Sequence, residues 1–412
     1  MSPEGRVVVV GAGLAGAELA VSLRQAGHRG PVVLVGDEPH QPYQRPPLSK
    51  AVLEGAASEH DIRVRAEAAY AKASVDLVLG VRVRSLDTMG QTVTLGDDTV
   101  VSYDGLALTT GGRPRRLVLG EGVEALSLYR LEDAVQLRGL LRPGLRLLVV
   151  GGGFVGLEVA AAAVSAGAEV TLVELQGRLL ARSCSPVVAQ HLAAVHRERG
   201  VDLRCGVGVV DAVRRDDGAL EVRLDDGSTV VVDHLLAGIG QVPNDELAAA
   251  AGLAVDDGVL VDEHCRTSDR HVVAAGDCAR QHHGWLGRRV RLESQQNTTE
   301  QARVAAATLA GVMPAVTGVP WFWSDQYEHK LQMAGVPEPG DEELRRGGRD
   351  RNDFSVLFVR DDILVGIQAL DRPRDFAAAR KLMAQRARID LARATDPDVP
   401  LVALVRDQVA TR

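Results

Sequence analysis

The hydrophobic and polar positions of this chain repeat one strand–helix–strand pattern twice, about 140 residues apart. Each copy opens on an uninterrupted apolar run, which is Val7-Val8-Val9-Val10 in the first and Leu147-Leu148-Val149-Val150 in the second. Such runs are typical of strands buried on both faces of a parallel sheet. A helix of small and apolar residues follows each run, and a second apolar strand closes each unit. The pattern predicts an α/β fold class with two related domains.

Shorter stretches predict further layers and a change of architecture after Gly318. Strands predicted at 75–83, 91–95 and 99–108 are expected to form a small antiparallel layer. Strands predicted near 329–334, 354–359 and 363–369 belong to a separate α+β domain. Further strands are predicted within 201–239, and helices at 297–310 and 373–393.

A chain of 412 residues is longer than a domain with a single hydrophobic core usually is, so several domains are expected. The short apolar strand within 271–279 indicates that the chain returns to its first domain after completing the second. We therefore expect one dinucleotide-unit domain from 1–111 and 241–320, a second from 112–240, and a C-terminal domain from 321–412.

Glycines follow each apolar run in the G-x-G-x-x-G spacing. In this motif the first glycine permits a tight turn, the second lets a pyrophosphate approach the backbone, and the third lets the helix pack on the strand. One such motif is weak evidence, but two in their strand–helix context predict two bound dinucleotides, a nicotinamide donor and a flavin. The six glycines are Gly11, Gly13 and Gly16 in the first motif and Gly151, Gly153 and Gly156 in the second.

An acidic residue about 20 positions beyond each motif is expected to bind ribose hydroxyls. Glu38 fits this role in the first unit, with Asp37 as the rival. Glu174 ends the second strand of the second unit, where a carboxylate accepts the adenosine 2′-hydroxyl and repels a 2′-phosphate. This favours NADH over NADPH, although Arg178 and Arg182 close behind leave a phosphate ligand open.

Two more carboxylates are candidates for chemistry. Glu158 follows Gly156 by two residues, in the first turn of its helix. It is either a helix N-terminal acid stabilised by the helix dipole or a carboxylate that faces the reaction site and pairs with Lys50. Asp277 ends a short strand after Gly276, where it would accept hydrogen bonds from ribityl hydroxyls of a flavin.

Trp321 and Trp323 stand in a chain that is only 3% aromatic. They are either core aromatics of the third domain or a cover for a flavin edge.

Charge and cysteine usage restrict the function classes. The net charge of −8 argues against general affinity for nucleic acid. The four cysteines, Cys184, Cys205, Cys265 and Cys278, form no C-x-x-C pair and are too scattered for a zinc site. Such sparse thiols fit a reducing compartment, and no signal peptide or membrane-spanning run is recognised, so the cytoplasm is the expected location.

Several longer segments of the chain are more distinctive than the glycine motifs. The most telling are Pro-Pro-Leu-Ser-Lys at 46–50 and Trp-Phe-Trp-Ser-Asp-Gln at 321–326. The other segments are 42–45, 238–244, 276–279, and 291–294 with Asn297. With these segments the chain resembles, over nearly its whole length, the flavin-dependent ferredoxin reductases of bacterial oxygenase and haem monooxygenase systems, the putidaredoxin reductase and rhodocoxin reductase type.

The resemblance implies a glutathione-reductase-type fold with an FAD domain, an NAD domain and a C-terminal domain that closes over the flavin. It implies that Lys50 and Glu158 form the catalytic pair beside the reactive flavin nitrogen and that Trp323 lies against the flavin ring. Gln295 departs from the family, which has an apolar residue there. The implied FAD ligands are Gly11, Gly13, Leu14, Ala15, Gly16, Glu38, Arg45, Lys50, Val81, Arg130, Gly276, Asp277, Gln295 and Trp323. The implied NAD ligands are Gly151, Gly153, Gly156, Glu158, Glu174 and Gly240.

The chain carries no cysteine pair for a disulfide reductase, so electrons are expected to leave for an external acceptor. The resemblance implies an NADH-dependent enzyme that passes electrons through FAD to an acidic iron–sulfur ferredoxin docked on an arginine-rich face. The alternatives are an NADH oxidase or rubredoxin reductase on the same fold, or a non-enzymatic NADH-sensing flavoprotein. The candidate docking arginines are Arg288, Arg289, Arg291, Arg345, Arg346, Arg349 and Arg351.

Overall fold

The computed structural model describes residues 2–120, 122–348 and 352–405. Two compact units account for the chain. The first unit comprises Met1–Gln44, Ser58–Arg113 and Gln241–Gly318. The second unit comprises Arg45–Ala57, Pro114–Gly240 and Val319–Arg412.

A five-stranded parallel sheet forms the centre of the first unit. Val7 and Val9 face a core shared with the helices Leu14–Gln25 and Gln295–Leu309, whereas Val8 and Val10 face a second core on the other side. Burial on both faces explains the unbroken apolar run. In sheet order the strands are Val272–Ala274, Gly105–Leu108, Val7–Val10, Val32–Gly36 and Val75–Leu79.

The antiparallel layer of the first unit is smaller than the sequence predicts. The strands Val83–Asp87, Thr92–Leu95 and Val100–Ser102 form it. The assignment of 75–83 and 99–108 to this layer is wrong in part, because Val75–Leu79 and Gly105–Leu108 are parallel strands of the central sheet. Gly105–Leu108 is buried along its whole length, as a strand covered on both faces must be.

The remaining elements of the first unit are short. The strands are Gly112–Pro114, Gln241–Pro243, Val259–Val261, Ala279–His283 and Arg288–Val290, and the helical segments are His60–Ile62, Glu67–Lys72 and Glu246–Ala250.

A four-stranded parallel sheet carries the second glycine motif in the second unit. Its strands, in sheet order, are Asp202–Cys205, Glu169–Glu174, Arg146–Val150 and His234–Ala237. An antiparallel layer of Val209–Arg214, Leu220–Leu224 and Thr229–Val232 lies between the outer strands in sequence. The helical segments of this part are Pro46–Ser49, Leu131–Leu140, Phe154–Ser165 and Pro186–Glu198.

The C-terminal part of the second unit is a five-stranded antiparallel sheet, and helical segments follow its last strand in the sequence. The predicted helix 373–393 is too long, because the helix Pro373–Ala384 ends before Arg386, which has a φ of 49°. In sheet order the strands are Trp321–Gln326, His329–Gly335, Ile363–Leu370, Phe354–Arg360 and Glu342–Arg346, and the later helical segments are Leu391–Ala394 and Leu401–Leu404.

The predicted fold class is confirmed, with two Rossmann-like parallel sheets and an α+β C-terminal part. Among the helices that the structure describes, none is long and apolar enough to cross a membrane.

Arg346 holds the C-terminal part together from within. Its side chain is 1% exposed, and Nε lies 3.1 Å from a carboxylate oxygen of Asp375. The guanidinium also donates to backbone carbonyls within the segment 394–399. The expectation that Arg346 belongs to a docking face is therefore wrong, because its guanidinium group is buried and pairs with groups inside the C-terminal part. Arg349 and Arg351 lie outside the described residues.

Arg346→Met should destabilise the C-terminal sheet strongly, because it leaves the Asp375 carboxylate buried without its cation. We expect a loss of about 3 kcal/mol or more in unfolding free energy. Hydrogen exchange of the amides of Phe354–Arg360 measures this loss. Arg345→Met is the matched control, since the half-buried Arg345 lies over the ring of Phe354, 4.5 Å from its centroid, and donates to the carbonyl of Gly348 at 3.0 Å. Equal exchange rates in the two variants would contradict this role of Arg346.

Candidate active site

The first glycine motif forms an open cradle at a helix N-terminus. Gly11 has a φ of 109°, and a Cβ there would lie 2.2 Å from the carbonyl oxygen of Thr109. A Cβ on Gly16 would lie 2.0 Å from the carbonyl oxygen of Gly11. At Gly13, by contrast, no described atom lies within 4 Å of the Cβ position. The helix Leu14–Gln25 starts beside this open space, where its backbone N–H groups and dipole suit a diphosphate.

Glu38 lies two residues beyond the strand Val32–Gly36, beside the first motif. Its carboxylate accepts a hydrogen bond from the hydroxyl of Tyr43 at 2.5 Å, whereas the rival Asp37 is exposed. The backbone N–H of Val81 donates to the carbonyl of Gly36 at 2.9 Å. The structure thus brings Glu38 and Val81 to the same strand end, as expected of ligands for one adenosine.

Gly276 and Asp277 lie against the first motif helix. Gly276 has a φ of 85°, and a Cβ there would lie 3.0 Å from Cβ of Ala15. The half-buried Asp277 carboxylate accepts from Nε2 of Gln241 at 2.9 Å and from the hydroxyl of Thr298 at 3.5 Å. Asp277 is therefore held at the same end of the sheet as the diphosphate cradle.

Gln295 is the first residue of the helix Gln295–Leu309. Its Nε2 donates to Oε1 of Gln44 at 2.8 Å. This amide pair explains how a polar side chain is accommodated where the resemblance implies an apolar one, because the side chain finds a hydrogen-bond partner in the first unit.

The second glycine motif repeats the construction of the first within the second unit. Gly151 has a φ of 107°, and a Cβ there would lie 2.5 Å from the carbonyl oxygen of Gly238. A Cβ on Gly156 would lie 2.1 Å from the carbonyl oxygen of Gly151. Gly153 again faces open space, with Gly238 the nearest described neighbour at 3.9 Å. The second motif fits a diphosphate as the first does.

Glu174 closes the turn of the second motif. Its two carboxylate oxygens accept from the backbone N–H groups of Gly152 and Gln176, each at 2.7 Å. Arg178, which left a phosphate ligand open, donates instead to the carbonyls of residues 179–181. Arg178 is thus tied to its own loop and Arg182 lies beside Gly240, so the charge held at the end of this strand is the Glu174 carboxylate, which would repel a 2′-phosphate.

Gly240, the last of the implied NAD ligands, has a φ of 95° in the second unit. The guanidinium groups of Arg115 and Arg182 each approach to 3.9 Å of its Cβ position. Gly240 is thus next to positive charge, which suits a ligand phosphate.

Lys50 and Glu158 form a buried ion pair in the second unit. The ammonium nitrogen lies 2.7 Å from Oε2 of Glu158, whose side chain is 4% exposed. The same oxygen accepts from the hydroxyl of Ser49 at 2.5 Å, and Oε1 accepts from the hydroxyl of Ser324 at 2.6 Å. Glu158 is the fifth residue of the helix Phe154–Ser165, so its expected place in the first turn is wrong and the pairing with Lys50 is the observed role.

Sequence reasoning missed Ser49 and Ser324 as partners of Glu158. The available signal is the period-2 pattern of the strand Trp321–Gln326. Phe322 lies 4.7 Å, between ring centroids, from Phe154 at the start of the motif helix, and Ser324 reaches Glu158 one turn later. One face of the strand therefore follows one face of the helix.

Trp323 lies on the other face of the strand Trp321–Gln326 and is half-buried. Its ring centroid is 5.6 Å from that of Trp321, so the two tryptophans pack against each other along this face of the strand.

Arg45 and Arg130 are brought close together in the second unit. Arg45 donates to the carbonyl of Tyr129 at 2.5 Å, and its guanidinium carbon lies 4.3 Å from the centroid of that ring. Arg130 is the next residue and is exposed at the start of the helix Leu131–Leu140. Arg45 is thereby held beside the start of this helix.

The cysteines are all free thiols and are not paired for redox chemistry. Burial raises the pKa of Cys278, which is fully buried beside Asp277, and raises the pKa of Cys184 to about 12. Such thiols are protonated and unreactive at neutral pH.

Two family models cover most of the chain. A model described as pyridine nucleotide-disulphide oxidoreductase matches residues 5–308, and one described as reductase C-terminal matches residues 321–405. The chain belongs to the pyridine nucleotide-disulphide oxidoreductase family. Membership of this family makes it an oxidoreductase, and FAD and NAD(H) are its cofactors, as the two glycine motifs predict. Neither glycine cradle conflicts with a dinucleotide.

Full-length relatives place the chain more closely within the family. Putidaredoxin reductase CamA of Pseudomonas putida is 40% identical, with 98% of each chain covered. Rhodocoxin reductase of Rhodococcus erythropolis is 41% identical, with 96% of this chain and 93% of the relative covered. The crystal structure of a covalent putidaredoxin reductase–putidaredoxin complex matches with a TM-score of 0.94 at 41% identity, over 97% of this chain and 98% of the other. The resemblance to this reductase type is confirmed.

Glu174→Ala should lower the preference for NADH over NADPH. We expect the ratio of the two kcat/KM values to fall about tenfold, mainly through weaker use of NADH, because Arg178 stays bound to its own loop. Steady-state kinetics with both nucleotides measures the ratio. Glu169→Ala, an exposed change at the start of the same strand, is the control. An unaltered ratio in Glu174→Ala would show that another residue sets the preference.

Proposed function

We propose that this chain is an NADH-dependent ferredoxin reductase that passes electrons through FAD to an iron–sulfur ferredoxin, which feeds a monooxygenase or dioxygenase. The observation that carries the proposal is the combination of two dinucleotide cradles with thiols that cannot act as a redox pair. Electrons from such a site have to leave for an external acceptor. A relative at 40% identity is named as the ferredoxin–NAD(+) reductase component of a dioxygenase system, which supports a ferredoxin as that acceptor.

When bound, FAD accepts a hydride from NADH and supplies electrons one at a time to an iron–sulfur centre. The two glycine cradles bind the diphosphates through helix N-termini. Glu38 binds the adenosine ribose of FAD, and Glu174 binds that of NADH while repelling a 2′-phosphate. Asp277 orients the ribityl hydroxyls, for which its carboxylate is already held in place.

Lys50 supplies positive charge where negative charge develops during hydride transfer. Glu158 keeps the Lys50 side chain in place through the 2.7 Å ion pair. The hydroxyls of Ser49 and Ser324 occupy further acceptor positions of the carboxylate and so fix its plane. These residues act by orientation and electrostatics.

The assignment of domains and ligands is part of the same proposal. Residues 1–111 and 241–320 bind FAD, residues 112–240 bind NAD, and residues 321–412 form the interface domain. The proposed FAD ligands in the first unit are Gly11, Gly13, Leu14, Ala15, Gly16, Glu38, Val81, Gly276, Asp277 and Gln295, and those in the second unit are Arg45, Lys50, Arg130 and Trp323. The proposed NAD ligands, Gly151, Gly153, Gly156, Glu158, Glu174 and Gly240, all belong to the second unit. A cytoplasmic location is supported by the four free thiols.

A basic docking face for the ferredoxin cannot be built from all the expected arginines. Arg291 is 11% exposed and pairs with Asp257 and Glu293, so it adds no net positive charge. Arg289 is exposed, and Arg288 is half-buried on the same strand. We place the docking face at Arg288 and Arg289, where the electrostatic attraction would fall with salt.

The test is NADH-driven reduction of cytochrome c by the purified holoenzyme, with and without added ferredoxins. Strong dependence on a ferredoxin supports the proposal. Rapid NADH consumption that needs oxygen and ignores every ferredoxin would favour the oxidase. Slow turnover with every acceptor, together with NADH-dependent dimerisation, would favour the sensing flavoprotein.

Lys50→Ala should slow reduction of the bound flavin by NADH roughly 10²-fold while FAD stays bound. The change removes the cation that faces the reaction and leaves Glu158 buried without its partner. Stopped-flow absorbance of the flavin measures the rate, and the flavin-to-protein ratio checks the cofactor content. Lys72→Ala, at an exposed lysine of the helix Glu67–Lys72, is the control. Unchanged reduction kinetics in Lys50→Ala would exclude its assigned role.

A further inference from the structure

A row of polar side chains, buried except for the half-buried Tyr327 at its end, leads from the Glu158 carboxylate through the second unit. Oε1 of Glu158 is 2.6 Å from the hydroxyl of Ser324, which is 3.2 Å from Nε2 of Gln326. Oε1 of Gln326 is 3.0 Å from Nε2 of His196, whose Nδ1 is 3.2 Å from the hydroxyl of Tyr327. We call Ser324, Gln326, His196 and Tyr327 the Glu158 network.

All the hydrogen bonds of the Glu158 network point toward the carboxylate. Glu158, paired with the Lys50 ammonium, only accepts, so the hydroxyl of Ser324 donates to it. Ser324 then accepts from the amide N–H of Gln326, whose oxygen faces His196 and accepts from Nε2–H. This leaves Nδ1 of His196 without a proton, and Tyr327 donates to it.

Burial favours the uncharged forms that this direction requires. His196 is fully buried, and desolvation lowers its pKa, opposed by the hydrogen bond to Gln326. Burial likewise raises the pKa of Tyr327 to about 12, so the phenol keeps the proton that it donates. Arg199, whose guanidinium lies 4.9 Å from the Tyr327 ring centroid, forms an ion pair with Glu328 at 2.5 Å.

The residues of the Glu158 network lie on a strand, a helix and a hairpin turn. Ser324 and Gln326 occupy alternate positions of the strand Trp321–Gln326, on the face that follows Phe154–Ser165. His196 comes from a different helix, Pro186–Glu198. Tyr327 is the first residue of the two-residue turn between the paired residues Gln326 and His329, and its φ of 54° is the positive value that such a hairpin turn requires.

We propose that His196 and Tyr327, acting through Gln326 and Ser324, are positioning residues for the Lys50–Glu158 pair. The effect expected on the rate of flavin reduction rests on the proposed function. The direction of the hydrogen bonds in the Glu158 network rests on the geometry alone. Aligned hydrogen bonds polarise one another, so the remote donors strengthen the bond that Ser324 makes to Glu158. The carboxylate is thereby oriented from two sides, by Lys50 with Ser49 and by the Glu158 network.

The first experiment determines the tautomer of His196 by 15N NMR of histidine-labelled holoenzyme, with His196→Gln used to assign the signal. We expect a neutral imidazole with the proton on Nε2 between about pH 6 and about pH 8. Glu158→Gln should increase the fraction of His196 with its proton on Nδ1. The amide at position 158 can donate a hydrogen bond to Ser324, so the direction of the network is no longer fixed by an acceptor. A proton on Nδ1 in the unaltered protein would overturn the proposed direction.

The second experiment is a double-mutant cycle on flavin reduction by NADH, followed by stopped flow. Tyr327→Phe should slow reduction about threefold in the unaltered background and have no effect in the Ser324→Ala background, where the link to Glu158 is cut. Ser324→Thr, which keeps the hydroxyl, should restore the effect. An equal slowing by Tyr327→Phe in both backgrounds would overturn the proposal, because packing alone would explain it.

His191→Asn is the control for general packing, since His191 lies on the same helix but contacts His329 and Phe354 instead of the network. It should leave the reduction rate unchanged, and a slowing equal to that of Tyr327→Phe would count against the network. Neither experiment uses a ferredoxin. Loss of ferredoxin dependence therefore overturns the proposed function alone, and an additive cycle overturns this inference alone.

Discussion

The Glu158 carboxylate is the group on which the second unit depends most. A charge buried this deeply costs several kcal/mol unless it is paired and hydrogen-bonded. Its partners come from two separate stretches of sequence, one with Ser49 and Lys50 and one with Ser324, while Glu158 itself lies on the motif helix. The ion pair forms only when the early loop, the second dinucleotide fold and the C-terminal sheet are all in place. Catalytic geometry and the folding of this unit are therefore coupled.

The two glycine cradles show how one physical constraint is met twice. In each, a glycine with positive φ passes a neighbouring carbonyl at a distance that no side chain allows, and another lets the helix approach the turn. What differs is the carboxylate beside each cradle. Glu38 accepts from the side chain of Tyr43, whereas Glu174 accepts from the backbone N–H groups of Gly152 in its motif and of Gln176. The same turn thus serves two nucleotides with different surroundings.

The sequence predicts the repeated α/β pattern well, because buried apolar strands and glycine spacing are local signals. The resemblance also predicts the partnership of Lys50 with Glu158. It does not reveal Ser49 or Ser324 as partners of Glu158, since serine is also common on protein surfaces and its identity alone does not indicate a buried hydrogen bond. The inward position of Arg346 is hidden for a similar reason: apart from Leu344 the strand Glu342–Arg346 is charged, so no local signal distinguishes the buried arginine from its neighbour Arg345. Gly105–Leu108 was assigned to the wrong layer because strand pairing is decided by distant segments.

The chain passes between the two units at five points, and the short segment Arg45–Ala57 belongs to the second unit although first-unit segments flank it. Neither unit is thus a continuous stretch that a gene fragment could encode. During synthesis, Lys50 leaves the ribosome long before Ser324 exists, a delay on the order of tens of seconds at ordinary translation rates. Until then the early loop has no finished partner surface, so truncated forms that end before residue 321 would expose Lys50 and Glu158 without the C-terminal side of their site.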